Sequence, residues 1–139
     1  MKSLALLFAL ALVALAASCG AGKTNCDGTF AGIAITPMTA TADHSAAKPG
    51  NQATFIAFAQ YNYSGGCAIP AALQVLTAQW TVSDTTDVTI ANTPSDQVPG
   101  GIATCLSAVT PPVTVKAAAT LPTGLPAGTF TATAQLTCK

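Results

Sequence analysis

The sequence predicts an all-β domain of about seven antiparallel strands, and three observations carry that reading. Beyond residue 18 the chain is rich in Thr, Ala, Val, Gly and Pro and poor in the strong helix formers Glu, Lys, Arg and Leu, a balance that favours strands and turns. Apolar residues recur in short runs of period 2, the spacing of a strand with one buried face. Pro and Gly signals punctuate those runs at regular intervals, as turns do in a compact β domain.

The strands follow in order. Ala31 to Thr36 places Ile33 and Ile35 on one face, and Pro37 then interrupts the ladder as it does on edge strands. After the Lys48-Pro49-Gly50 turn, Gln52 to Tyr61 sets Ala53, Phe55, Ala57 and Ala59 against Thr54, Ile56, Phe58 and Gln60. A long connection, Asn62 to Gln74, holds Ser64-Gly65-Gly66-Cys67 and leads into Val75 to Ser83, where Ala78, Trp80 and Val82 alternate with Gln79, Thr81 and Ser83. Asp87 to Ala91 offers Val88 and Ile90, and Gly101 to Leu106 follows the Pro99-Gly100-Gly101 turn. Val113 to Ala119 alternates Val113, Val115 and Ala117 with Thr114, Lys116 and Ala118. Thr129 to Cys138 is the cleanest run, with Phe130, Ala132, Ala134, Leu136 and Cys138 on one face. Strands with one apolar face need a second layer, so this set around a single Trp predicts a two-sheet sandwich of immunoglobulin type.

The start of the chain belongs to export rather than to the fold. Lys2, the apolar run Leu4 to Ala17 and small residues at its end form a signal peptide, shorter than the about 20 apolar residues a bilayer span needs. Its end, Ala16-Ala17-Ser18-Cys19, resembles the bacterial lipobox, which implies cleavage before Cys19, acylation of that cysteine and an outer-membrane lipoprotein of the cell envelope. An ordinary signal-peptidase cut after the same small residues, and secretion, is the alternative. Cysteine arithmetic favours the lipid. The chain has five cysteines, an odd number that leaves a spare thiol in an oxidising compartment. Acylating Cys19 leaves Cys26, Cys67, Cys105 and Cys138 for two disulfides, with three connectivities open.

What remains is the size of one domain. The reading divides the chain into a lipoprotein signal peptide over 1–18, a tether over 19–29 and the β domain over 30–139. Full-length net charge is zero, every cation is Lys and every anion Asp, so an electrostatic nucleic-acid partner is not expected.

In sequence order, Ile33-Ala34-Ile35-Thr36-Pro37, Pro49-Gly50-Asn51-Gln52-Ala53-Thr54-Phe55-Ile56-Ala57, Gln79-Trp80-Thr81-Val82-Ser83-Asp84, Val88-Thr89-Ile90, Gly101-Ile102-Ala103-Thr104 and Val113-Thr114-Val115-Lys116-Ala117 resemble the bacterial Ig-like domains of group 2 kind found in intimin-like and invasin-like surface proteins. The resemblance covers about residues 30 to 138. It implies a non-catalytic structural or adhesive module. An Ig-type topology also puts the start of the first strand near the long loop and the ends of the fifth and last strands together. That implies Cys26 paired with Cys67 and Cys105 with Cys138.

Chemistry-bearing residues are few. Trp80 alternates with core positions and reads as the packing centre between sheets. Asp84 and Asp87 could present hard oxygens to Ca²⁺, but Ser83-Asp84-Thr85-Thr86-Asp87 reads first as a turn capped by Asx hydrogen bonds. His44 has no Cys or acidic cluster beside it in sequence and reads as a surface residue, so no metal site is expected. No nucleophile elbow, HExxH, P-loop or paired glutamates occur, so neither an enzyme nor a cofactor is expected. The candidate binding patch is Phe58, Tyr61 and Tyr63 with Ile56, the two tyrosines read as part of the long loop, where they could meet a protein or glycan partner. A loop folded back over them is the structural alternative. Beside the acyl chains in a membrane, the partner classes are therefore a protein contact, a glycan, or the other subunits of an envelope complex.

Overall fold

The computed structural model describes residues 28–63, 74–92 and 100–139. Eight strands run through them: β1 Gly28–Thr36, β2 Thr39–Ala42, β3 Gln52–Tyr63, β4 Gln79–Val82, β5 Val88–Ala91, β6 Gly100–Cys105, β7 Val113–Thr120 and β8 Thr129–Cys138. They form two four-stranded sheets, one in the order β1-β3-β6-β5 and the other β2-β8-β7-β4. All pairings are antiparallel except β2 with β8, which is parallel.

The alternation read from sequence sets which face each strand buries. On β8, Ala134, Leu136 and Cys138 are buried while Thr133 and Gln135 are exposed. On β7, Val113, Val115, Ala117 and Ala119 are buried in the same phase. Facing them from the other sheet are Ile33, Ile35, Phe55, Ala57, Ala59, Val88, Ala103 and Cys105. Alanine outnumbers every other residue type in this core, and no polar side chain is buried among the described residues.

Small residues let the sheets approach, and one large ring then needs a seat. Trp80 on β4 reaches across the gap and lies over Gly101 on β6, where an added Cβ would sit 2.5 Å from the indole Cδ2. Its ring lies 6.5 Å from that of Phe55. The indole is 3 % exposed, which confirms its reading as the centre of the packing. Burial of such a ring removes on the order of 200 Å² from water and contributes roughly 5 kcal/mol.

Two expectations are corrected in detail. Pro37 does not simply end an edge strand: the chain changes sheets there, leaving β1 beside β3 and entering β2 beside β8. Four polar-apolar residues, Thr39 to Ala42, carry too little periodicity to be read as a strand. The run expected over Val75 to Ser83 is also divided. Val75 forms an isolated bridge with Phe58, Leu76 N–H donates to the Ala57 carbonyl at 2.9 Å, and regular pairing with β7 begins only at Gln79.

Three ties join the layers. Cys105 of one sheet is bonded to Cys138 of the other, with Cα atoms 5.7 Å apart, as the Ig-type topology implied. The β1 to β2 crossing is the second. In the third, the side-chain amide of Asn92, just past β5, pairs with the backbone of Trp80 in both directions: its Nδ2 donates to the Trp80 carbonyl at 3.0 Å and its Oδ1 accepts from the Trp80 N–H.

Two stability measurements follow. Gly101→Ala forces the indole out of its seat and lowers unfolding free energy by about 1–3 kcal/mol; an unchanged denaturation midpoint would show that the ring is not clamped. Replacing Cys105 and Cys138 together by Ala frees a segment with a sequence separation of 33 residues, which lowers stability by roughly 4 kcal/mol in the chain-entropy account. Peptide mapping without reductant gives a Cys105–Cys138 linked pair, and a Cys67–Cys105 product contradicts it.

Candidate functional site

The two ends of the domain differ in chemistry. At the end where β1 begins and β3 finishes, the inward phase of Phe55, Ala57 and Ala59 continues to Tyr61 and Tyr63. Phe30 joins them only because β1 bulges. Its register slips between Phe30 and Gly32, so Phe30 pairs with Tyr61 while Ile33 pairs with Ala59. One extra residue turns an outward position inward, and Gly32 takes the φ of 145° that the bulge requires. The result is a ring cluster. Phe30 stands edge to face with Tyr61 at 5.9 Å and with Phe130 of β8 at 5.1 Å, and Tyr61 lies 6.2 Å from Tyr63. The Tyr61 hydroxyl donates to Gln74 Oε1 at 3.0 Å, and Tyr63 covers Gly28, its cross-strand partner.

This geometry corrects the patch expected from sequence. Tyr61 and Tyr63 belong to β3 rather than to a loop. Phe58 projects from the opposite face of the same strand, beside Val75, so the three aromatics do not form one surface. Sequence reasoning missed Phe30 and Phe130. Phe130 was legible as an inward residue of β8, whereas Phe30 was hidden by the bulge.

The opposite end is polar and tied down. His44 meets the Lys139 carbonyl twice, its backbone N–H donating at 3.0 Å and its Nδ1 lying at 2.7 Å, while Lys139 N–H donates to the Ala42 carbonyl at 3.0 Å. The exposed His44 ring therefore serves the chain end. Asp43 accepts the Ser45 hydroxyl at 2.7 Å and the Ser45 N–H at 3.0 Å, and these bonds hold its carboxyl below the usual range. A lowered carboxyl pKa stabilises the fold above the unfolded value of about 4, and that contribution is lost as pH falls through the folded value. Asp84 Oδ1 accepts the N–H groups of Thr86 and Asp87 at 2.9 and 3.2 Å, the Asx cap read from sequence. Asp87 in turn accepts the Ser107 hydroxyl. Among the described residues, no three His, Cys, Asp or Glu side chains gather as a metal site. Cys19, expected to be lipidated, and Cys26 and Cys67, expected to form a second disulfide, lie outside the described residues.

The ring cluster is thus part of the packing as well as a surface. Replacing Tyr61 and Tyr63 together by Ser removes two ring contacts and leaves Phe30 uncovered, lowering unfolding free energy by about 2–4 kcal/mol. A melting temperature unchanged within error would mean that the rings stand free of the fold.

Set beside protein-family models, curated proteins and solved structures, the chain matches none of them.

Proposed function

We propose that the chain is a bacterial cell-envelope lipoprotein, acylated at Cys19, whose domain is of immunoglobulin type and acts as a non-catalytic structural or adhesive module. The strand order carries this reading. Taking β1 and β2 as two halves of strand A, the order β1-β3-β6-β5 corresponds to A-B-E-D, and β2-β8-β7-β4 to A′-G-F-C, with a central Trp on the strand that an immunoglobulin domain calls C. The Cys105–Cys138 bond suits an oxidising compartment, and the odd cysteine count supports a modified Cys19.

A protein contact is favoured over a glycan one. Sugar stacking needs a free ring face, whereas Tyr61 is packed against Phe30 and engaged by Gln74 through its hydroxyl. The domain offers instead a stiff body whose outer faces carry little charge among the described residues, with Thr recurring along β8 at 129, 131, 133 and 137.

Mass spectrometry of the mature amino terminus tests the anchor. The expected peptide begins at Cys19 and carries acyl chains, each buried CH₂ contributing about 0.8 kcal/mol, so that two chains hold the protein in the membrane almost permanently. Cys19→Ser moves the protein to the soluble fraction. An unmodified peptide beginning at Ser18, Cys19 or Gly20 overturns the reading.

A further inference from the structure

Among the described residues, charge gathers at one end of the domain. Asp43, Lys48, Asp84, Asp87 and Lys139 sit at the end where β8 finishes, on the β2–β3 and β4–β5 connections and at the carboxyl terminus. Of the charged side chains in the described residues, only Lys116, on the outer face of β7, lies elsewhere. The other end holds the ring cluster and the β7–β8 hairpin, residues 121–128, whose sequence Leu-Pro-Thr-Gly-Leu-Pro-Ala-Gly contains no charge. Chain length then decides which end meets a membrane. Gly28, the first residue of β1, lies nine residues after Cys19 and at the ring-cluster end, with Asp27 bonded directly before it. That stretch reaches at most about 30 Å even when fully extended. Strand β8 alone spans ten residues, about 33 Å at the usual rise. Turning the charged end to the bilayer would therefore need a tether stretched to its limit along the whole domain.

We infer that the ring-cluster end, formed by Tyr61, Tyr63, Phe30 and the Leu121–Leu125 hairpin, docks on the lipid surface that holds Cys19, so that the domain stands upright with its Cys105–Cys138 end outward. The inference rests on the lipoprotein reading above. Tyrosine suits the water–lipid boundary because it joins an apolar ring to a polar tip, and the hairpin over residues 121–128 brings no ion to the headgroups. Tyr63 and Leu125 are each only half-buried in the domain, which leaves ring and methyl surface to meet the bilayer. The occupant is the bilayer itself rather than a protein: the anchor brings this end to the headgroups whatever else is present.

The test uses the full lipidated chain in phosphatidylcholine vesicles, with Tyr63→Trp as one depth probe, Leu125→Trp as a second in the hairpin, and Lys48→Trp as the reference at the charged end. Brominated acyl chains quench an indole held in the interfacial zone and leave one in water alone. After subtraction of the buried Trp80 signal, the Tyr63→Trp and Leu125→Trp emissions fall roughly twofold or more in brominated vesicles, and the Lys48→Trp emission is unchanged. If the chain floats with the vesicles and the probes at the two ends are quenched equally, or not at all, the docking fails while the anchor stands. A chain that does not float overturns the anchor and the docking with it. Should one tryptophan at the ring-cluster end impair folding, the other alone distinguishes these outcomes.

Discussion

The seat that Gly101 offers to Trp80 is the constraint on which the remaining packing depends. A core made largely of alanine cannot fill the space between two sheets at an ordinary separation, and voids in a close-packed interior are expensive. One indole, spanning the gap and touching backbone on the far side, resolves this without adding bulk elsewhere. It also fixes β4 relative to β6, strands in different sheets with no shared hydrogen bonds. Phe55 and Leu136, both fully buried, then pack around a centre that is already defined.

The parts of this fold that were legible in the sequence are those governed by period 2 alone. Thr129 to Cys138 keeps strict alternation over its whole length and is found unchanged as β8, and Trp80 was marked as central by its phase with Ala78 and Val82. What escaped the reading involves events that break or hide the period. The bulge after Phe30 inverts its face, and the sheet change after Thr36 produces β2, too short to carry a pattern. Tyr63 falls within the connection expected from Asn62 onward, because Asn62 and the glycines beyond it imitate turn chemistry, yet the ladder with β1 continues as far as Gly28 and Tyr63. Of the candidate site, the tyrosines were identified and their partners were not. Rings meet across strands, and cross-strand neighbours are invisible until the register is known.

The domain is held differently at its two ends. One has a covalent bond between sheets and a clasp of the carboxyl terminus through His44 and Ala42; the other relies on edge-to-face aromatic contacts. A disulfide resists opening whatever the solvent, whereas ring packing holds only while water is excluded. The first suits a surface facing the medium. The second suits one that has something apolar or crowded against it.

Asn92 has a consequence beyond joining the layers. An exposed sheet edge is a template on which any extended chain can polymerise. On β4 the central backbone donor and acceptor are already taken by an amide side chain that copies the hydrogen bonds of a neighbouring strand, and on the far side of that sheet β2 presents only four residues. A side chain that caps the edge in this way keeps β4 from taking a second extended chain as its neighbour.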